Sequence, residues 1–302
     1  MTTRIKSNAF VMIFCILFIS LFVVKPDVFM QSTLRGLTVW LNSVLPSLFP
    51  FFVVSKLLTN SMPPFKSVSA NIFAISIVSG YPVGAKLLAD KCRMGEIDGE
   101  YCTRALALCS TSGPLFLLGA VGIGIFHSYK AGIVLLVSHI LGSVANGLIY
   151  YRKSVNKMRP TPQKSINIGD TMYDSIISIL MVGGFIALCF VVVDMLVEFG
   201  VIGALAGAVS KVFGLNADVV SAVLCGSVEM TRGCVEIADT GVSMTTALTI
   251  CSALIGSGAM SVFLQTVCFL PPAVKRGRLI VQKISQAVLC AVFCLVICLV
   301  VY

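Results

Sequence analysis

The sequence predicts an all-α polytopic membrane protein: an inverted repeat with two re-entrant hairpins, two broken helices and about seven full spans. Three observations carry that prediction. The 302-residue chain is 57% hydrophobic and 12% charged, where soluble domains carry about 25% charged residues, and its mean hydropathy is +0.99. Apolar runs of the roughly 20 residues needed to cross a bilayer recur from end to end. Some of these runs are interrupted near their middle by Gly, Pro and charge.

Full spans are expected near 9–24, 35–58, 102–126, 131–151, 173–197, 244–270 and 284–302. The first follows Arg4 and Lys6 and resembles a signal peptide. No small-x-small cleavage site precedes Lys25, so a retained span is preferred. Charge decides how the stretches 68–90 and 217–239 are read. Placing Arg4 and Lys6 inside leaves the most basic loop, 152–164, outside if 68–90 crosses completely. If 68–90 enters and turns back, that loop becomes cytoplasmic, as the positive-inside rule asks. Treating 217–239 likewise puts the cluster Lys275, Arg276, Arg278 and Lys283 inside, read as a second basic loop. Segment 199–215 must then lie at the interface without crossing. The N-terminus is cytoplasmic and the C-terminus outside, and the chain divides into an anchor span (1–34), a first repeat (35–151), a basic linker (152–172) and a second, inverted repeat (173–302).

The net charge of +9 does not point to nucleic acid, because the basic residues flank apolar spans and form no single patch. The twelve cysteines lie mostly within apolar runs without a CxxC, and only two histidines are present, so neither a zinc site nor a disulfide framework is implied. Cys290, Cys294 and Cys298 share one face of the last helix and read as small apolar filler or lipid-facing residues. No phosphate loop or nucleophile–base set occurs, so the chain is not expected to be an enzyme, and no cofactor is implied.

The repeat is visible locally. Aligning Gly80 of "SGYPVGAK" (79–86) with Gly226 of "CGSVEMTR" (225–232) places Lys86 on Arg232 and Asp90 on Glu236 without a gap. The same offset brings "STSGPLFLLG" (110–119) close to "IGSGAMSVFL" (255–264). Unpaired backbone groups in hydrocarbon cost several kcal/mol, so irregular backbone survives there only where protein or a water-filled cavity covers it. The four breaks, at Ser79–Gly84, Ser110–Pro114, Cys225–Ser227 and Gly256–Gly258, are therefore the candidate site, as in transporters built from discontinuous helices. Candidate substrate-binding residues are Ser79 and Gly80, then Ser110, Thr111, Ser112 and Gly113, then Ser227 and Glu229, then Gly256, Ser257 and Gly258. Lys86 and Arg232 sit in the first turns of the hairpins' second arms, where a free helix N-terminus also attracts anions. The expected ligand is accordingly a small anionic solute, and the other partners are the lipid bilayer and, left open, a second copy in a homo-oligomer. A coupling ion, Na+ or H+, is not fixed; proton coupling would rest on Glu229, Glu236 or His139. His139 reads first as a packed polar residue, and Asp194 and Glu198 as solvated at a helix end.

The stretches 79–86, 110–142 and 226–234 resemble the YlbJ-type sporulation integral membrane proteins. That group carries the nucleoside-recognition or Gate domain and is distantly similar to concentrative nucleoside transporters. The resemblance covers roughly residues 35–270 and makes each repeat a Gate-like unit. It implies a bacterial spore-former, the cytoplasmic or outer forespore membrane, and delivery of dipicolinate, a small aromatic dicarboxylate. Nucleoside transport and a non-transporting role in a sporulation membrane complex are the alternatives. Gly113-Pro114 stands where relatives often show Asn-Pro, and the link between the halves is brief.

Overall fold

A computed structural model describes residues 12, 15, 16, 18–20, 22–61, 68–150 and 167–302. Part of the expected first span, the stretch 152–166 of the basic linker with Arg152, Lys153, Lys157, Arg159 and Lys164, and Lys66 lie outside these residues. Among the described residues every regular element is helical. The first half holds α1 (Pro26–Val39), a π-helical turn (Trp40–Val44), α2 (Leu45–Ser61), α3 (Val68–Ser79), α4 (Val83–Arg93), α5 (Gly99–Cys109), a π-helical segment (Leu115–Ile125) and α6 (Tyr129–Tyr150). The second holds α7 (Ile168–Glu198), α8 (Val201–Phe213), α9 (Ala217–Val228), α10 (Met230–Asp239), α11 (Met244–Ser257), α12 (Ala259–Phe269) and α13 (Arg276–Val301).

Among the described residues, four helical stretches are long and apolar enough to cross a membrane: Tyr129–Tyr150, Ile168–Glu198, Met244–Phe269 and Arg276–Val301. The chain is thus an integral membrane protein. Sequence signals set several boundaries. Asn167, Asp98, Asn216 and Ser243 each cap a helix by accepting backbone N–H groups two or three residues on. The 13 residues of α8 rise about 20 Å, short of the roughly 30 Å of hydrocarbon.

Each half holds a hairpin followed by a broken helix and a long helix, and α8 precedes the hairpin in the second half. In the first half α3 turns at Gly80–Pro82 into α4, and α5 is separated from the π-helical segment by the non-helical residues 110–113. In the second, α9 turns at Glu229 into α10, and α11 gives way to α12 at Gly258. The second hairpin therefore breaks later than the sequence suggested. Gly226 and Ser227 are still helical, and the extended residue is Glu229 (φ −134°, ψ 112°). Gly226 serves packing: a Cβ on Gly233 would lie 2.2 Å from the Gly226 Cα, so the two arms touch through bare backbone. In the first hairpin a Cβ on Gly84 would meet Ser76 Oγ at 2.0 Å.

The last helix also departs from expectation. It begins at Arg276, so Lys283 lies inside it and is buried, with a relative exposure of 6%. Its inward stripe runs Leu279, Gln282, Lys283, Gln286, Cys290, Cys294, Cys298. The three cysteines therefore face the protein and not lipid. Cys290 packs between Gly142 of α6 and Gly256 of α11, whose missing side chains leave room for its sulfur. At the start of α5, outside the long spans, Glu100 pairs with Lys275 (3.0 Å), Arg278 and Arg104 (2.7 Å). Those bonds, Lys275 foremost, hold its carboxyl down to about 2.

Candidate functional site

Two larger apolar cores fill the molecule, one around α3, α4, α5, α7 and α12, the other around α6, α10, α11, α13 and the π-helical segment. A small cluster is drawn from the breaks themselves: Tyr81 from the first hairpin tip, Met230 from the second, Ala259 and Val262 beside Gly258, and Phe116 after Pro114. Four interrupted segments, distant in sequence, thus meet at one place.

Beside that cluster lies a cavity of about 60 Å3, several times the roughly 10–15 Å3 that one water requires. Its polar lining is Ser79, Tyr81, Ser112, Glu229, Thr231, Ser261 and Gln265, and its apolar wall includes Val182 and Ile186 of α7. Ser261 Oγ is buried there and makes no hydrogen bond among the described residues. Glu229, 2% exposed, caps α10 by accepting the Arg232 backbone N–H at 2.8 Å.

Backbone geometry brings the tips together. Gly80 has φ +78° and lies so close to Gly113 that a Cβ would stand 2.6 Å from the Gly113 nitrogen. Only glycine meets both requirements at once. The Ser112 backbone N–H donates to His139 Nε2 at 2.7 Å, so α6 satisfies the break's exposed amide. Thr111 Oγ1 donates to the Ser76 carbonyl at 3.2 Å.

Of the thirteen sequence candidates, Ser79, Gly80, Ser112, Gly113 and Glu229 line the cavity. Ser110 and Thr111 are buried just behind it. Ser257 caps the next turn, accepting from Ala259 N at 3.1 Å, and Gly256 packs on α13. Gly258 makes the turn between α11 and α12, and Ser227 points outward, bonded to the Val223 carbonyl.

The two aligned cations do not line the cavity. Lys86 reaches α7, donating to the Asp174 carbonyl at 3.2 Å and to Ser178 Oγ, with its ammonium 5.5 Å from the Phe52 ring centroid and 5.6 Å from that of Phe269. Arg232 also reaches α7, pairing with Asp194 and with Glu236 at 2.7 Å. Asp194 is consequently buried rather than solvated, held between Arg232 and Arg35 (2.6 Å). Glu198 pairs with Lys25. The Lys86 and Arg232 contacts stand about twenty residues apart on α7, or about 30 Å of helix rise. The cavity residues Val182 and Ile186 lie midway between them.

Comparison with known proteins gives a similarity that spans most of the chain. The chain is 28% identical to the sporulation integral membrane protein YlbJ of Bacillus subtilis (strain 168), across 85% of this chain and 74% of the relative. The chain is therefore similar to a YlbJ protein over most of its length. No family model matches it, and no solved structure matches it.

The core contains one group that the charge pattern places in a loop. Lys283 Nζ donates to Tyr81 Oη, the Ser110 carbonyl and Gln286 Oε1, each at 2.9 Å, and stands 4.3 Å from the Tyr81 ring centroid. Tyr81 Oη in turn lies 3.3 Å from the Ile255 carbonyl and 3.4 Å from that of Gly256. One lysine and one tyrosine therefore join the first hairpin, both broken helices and α13. The signal was present as spacing: Gln282, Lys283 and Gln286 continue the stripe of Cys290, Cys294 and Cys298.

Proposed function

We propose that this chain is a secondary transporter or facilitator, not an enzyme, which moves a small organic anion, dipicolinate first among them, across a bacterial membrane during sporulation. The observation that carries this reading is the meeting of four interrupted segments around one cavity. Unpaired backbone is too costly in hydrocarbon to recur four times unless the breaks line a path or a site. The two clamp points on α7 support an inverted arrangement, with one hairpin entering from each membrane face and the cavity at mid-height. On this reading the N-terminus is cytoplasmic, the C-terminus is outside, and the membrane is the cytoplasmic or outer forespore membrane. The sporulation setting comes from the Bacillus relative's name.

A specific observation favours a second reading, transport of a nucleoside or a similar uncharged solute. Serine, threonine, tyrosine and glutamine line the cavity with Glu229, and among the described residues no lysine or arginine does. Uptake of labelled dipicolinate and labelled uridine into proteoliposomes separates the two. Saturable dipicolinate uptake, abolished by Ser261→Leu filling the cavity, is the expected result. Uridine uptake alone selects the second reading. Uptake of both compounds at the level of empty liposomes, by folded protein, rejects transport and leaves a partner role in a sporulation complex.

A further inference from the structure

Besides His139, three acidic or basic side chains are buried among the described residues: Asp194, Glu229 and Lys283. Asp194 is neutralised by two arginines. Glu229 places its carboxylate on the N-terminus of α10, where the helix dipole opposes its charge. Lys283 has no carboxylate partner among the described residues. Its three N–H groups go to a phenol, a carbonyl and an amide oxygen, all uncharged.

A cation within a membrane protein that lacks a counter-ion is costly to keep. Snorkelling does not relieve it, since Lys283 is buried and several residues inside a long apolar helix. The groups around it do not neutralise it either. Tyr81, Gln286 and Ser110 are neutral donors or acceptors, and His139 accepts from the Ser112 amide as an uncharged imidazole. Two neighbours connect this charge to the cavity: Tyr81, whose hydroxyl it holds, lines the wall, and Ser112 lies two residues beyond the carbonyl that it binds. Ser110 Oγ, beside that carbonyl, is buried and makes no hydrogen bond among the described residues.

We infer that Lys283 is the specificity-determining charge of the cavity: fixed behind Tyr81, it favours a carboxylate-bearing solute over an uncharged one of the same shape. Because all three of its N–H groups are engaged, it acts by its field and as a positioning residue for Tyr81, not by a direct bond to the solute. The inference rests on the solute-binding reading of the cavity and explains how a wall without lysine or arginine could still select an anion.

The test uses the purified full chain in lipid nanodiscs and two probes of matched shape, pyridine-2,6-dicarboxylate and pyridine-2,6-dicarboxamide. Wild type is expected to bind the dicarboxylate roughly tenfold or more tightly than the diamide. Lys283→Met, an isosteric apolar replacement, and Lys283→Gln, which keeps hydrogen bonding, are each expected to erase that ratio, the dicarboxylate losing more affinity than the diamide. Lys283→Arg is expected to retain it. Thermal melting confirms folding of each variant, and either neutral variant suffices if the other does not fold. A wild-type ratio in the neutral variants overturns the assignment and leaves the cavity reading intact. Wild type that binds neither probe overturns both.

Discussion

The two hairpins have the same plan and opposite charge. Each places a cation in the first turn of its second arm, and each cation grips the long helix α7, Lys86 near Asp174 and Arg232 at Asp194. Their tips differ. The first ends in Gly80, Tyr81 and Pro82 and is held from behind by the Lys283 ammonium. The second ends in Glu229, which exposes a carboxylate to the cavity while capping α10. A cation repeated at equivalent positions in two halves is thus an anchoring device, and the side chains where the halves differ are those that face the shared space.

The strongest test of this comparison attacks the arms themselves. Gly84→Ala and Gly233→Ala each put a methyl group about 2 Å from neighbouring atoms that include backbone. Both are expected to cost about 3 kcal/mol or more, read as loss of monodisperse protein in detergent. Gly203→Ala, with open space around it, is the control and is expected to cost nothing. Next in size is the pair of anchors. Asp194→Ala strands Arg232 with its buried partner gone and should cost about 3 kcal/mol. Asp174→Ala removes a half-exposed carboxylate while the carbonyl that Lys86 uses remains, so about 1 kcal/mol or less is expected. Equal losses in a thermal-melt series would break the distinction between the clamps. Smaller still is Lys86→Met, which should leave the dicarboxylate-to-diamide ratio at its wild-type value, because its charge stands at α7. The smallest effect concerns Glu100. Its carboxyl is depressed in the folded chain, so its contribution is present above the ordinary value near 4.5 and is lost as pH falls towards about 2. Glu100→Gln should flatten the decline of melting temperature in that window.

The first hairpin was legible because two of its breakers are its tip: Gly80 and Pro82 interrupt an apolar run where the chain reverses, while Gly84 already lies in α4 and packs against Ser76. The second was misplaced by three residues. Gly226 looks like a breaker but works as a packing surface for Gly233, and the reversal falls at Glu229, whose capping role is unusual for a glutamate in so apolar a setting. The cations were found but assigned to the wrong neighbour, since sequence alignment matches Lys86 with Arg232 without showing that both turn towards α7. Lys283 was hidden by its company. Following Lys275, Arg276 and Arg278, it looked like the end of a basic loop, although the helix had already begun. Asp194 escaped for a related reason: Arg35, far off in sequence, closes the other side of its pocket.

The chain's one tryptophan, Trp40, occupies a place with practical value. Its indole N–H donates to the Ile179 carbonyl at 3.1 Å, and its ring lies where a side chain on Gly183 would be. The next residue along α7, Val182, is part of the cavity wall. The molecule therefore carries a single indole, excitable at longer wavelengths than its tyrosines, one residue from the cavity wall. Emission shifts and quenching by titrated compounds can be assigned to that spot without labels or engineered probes.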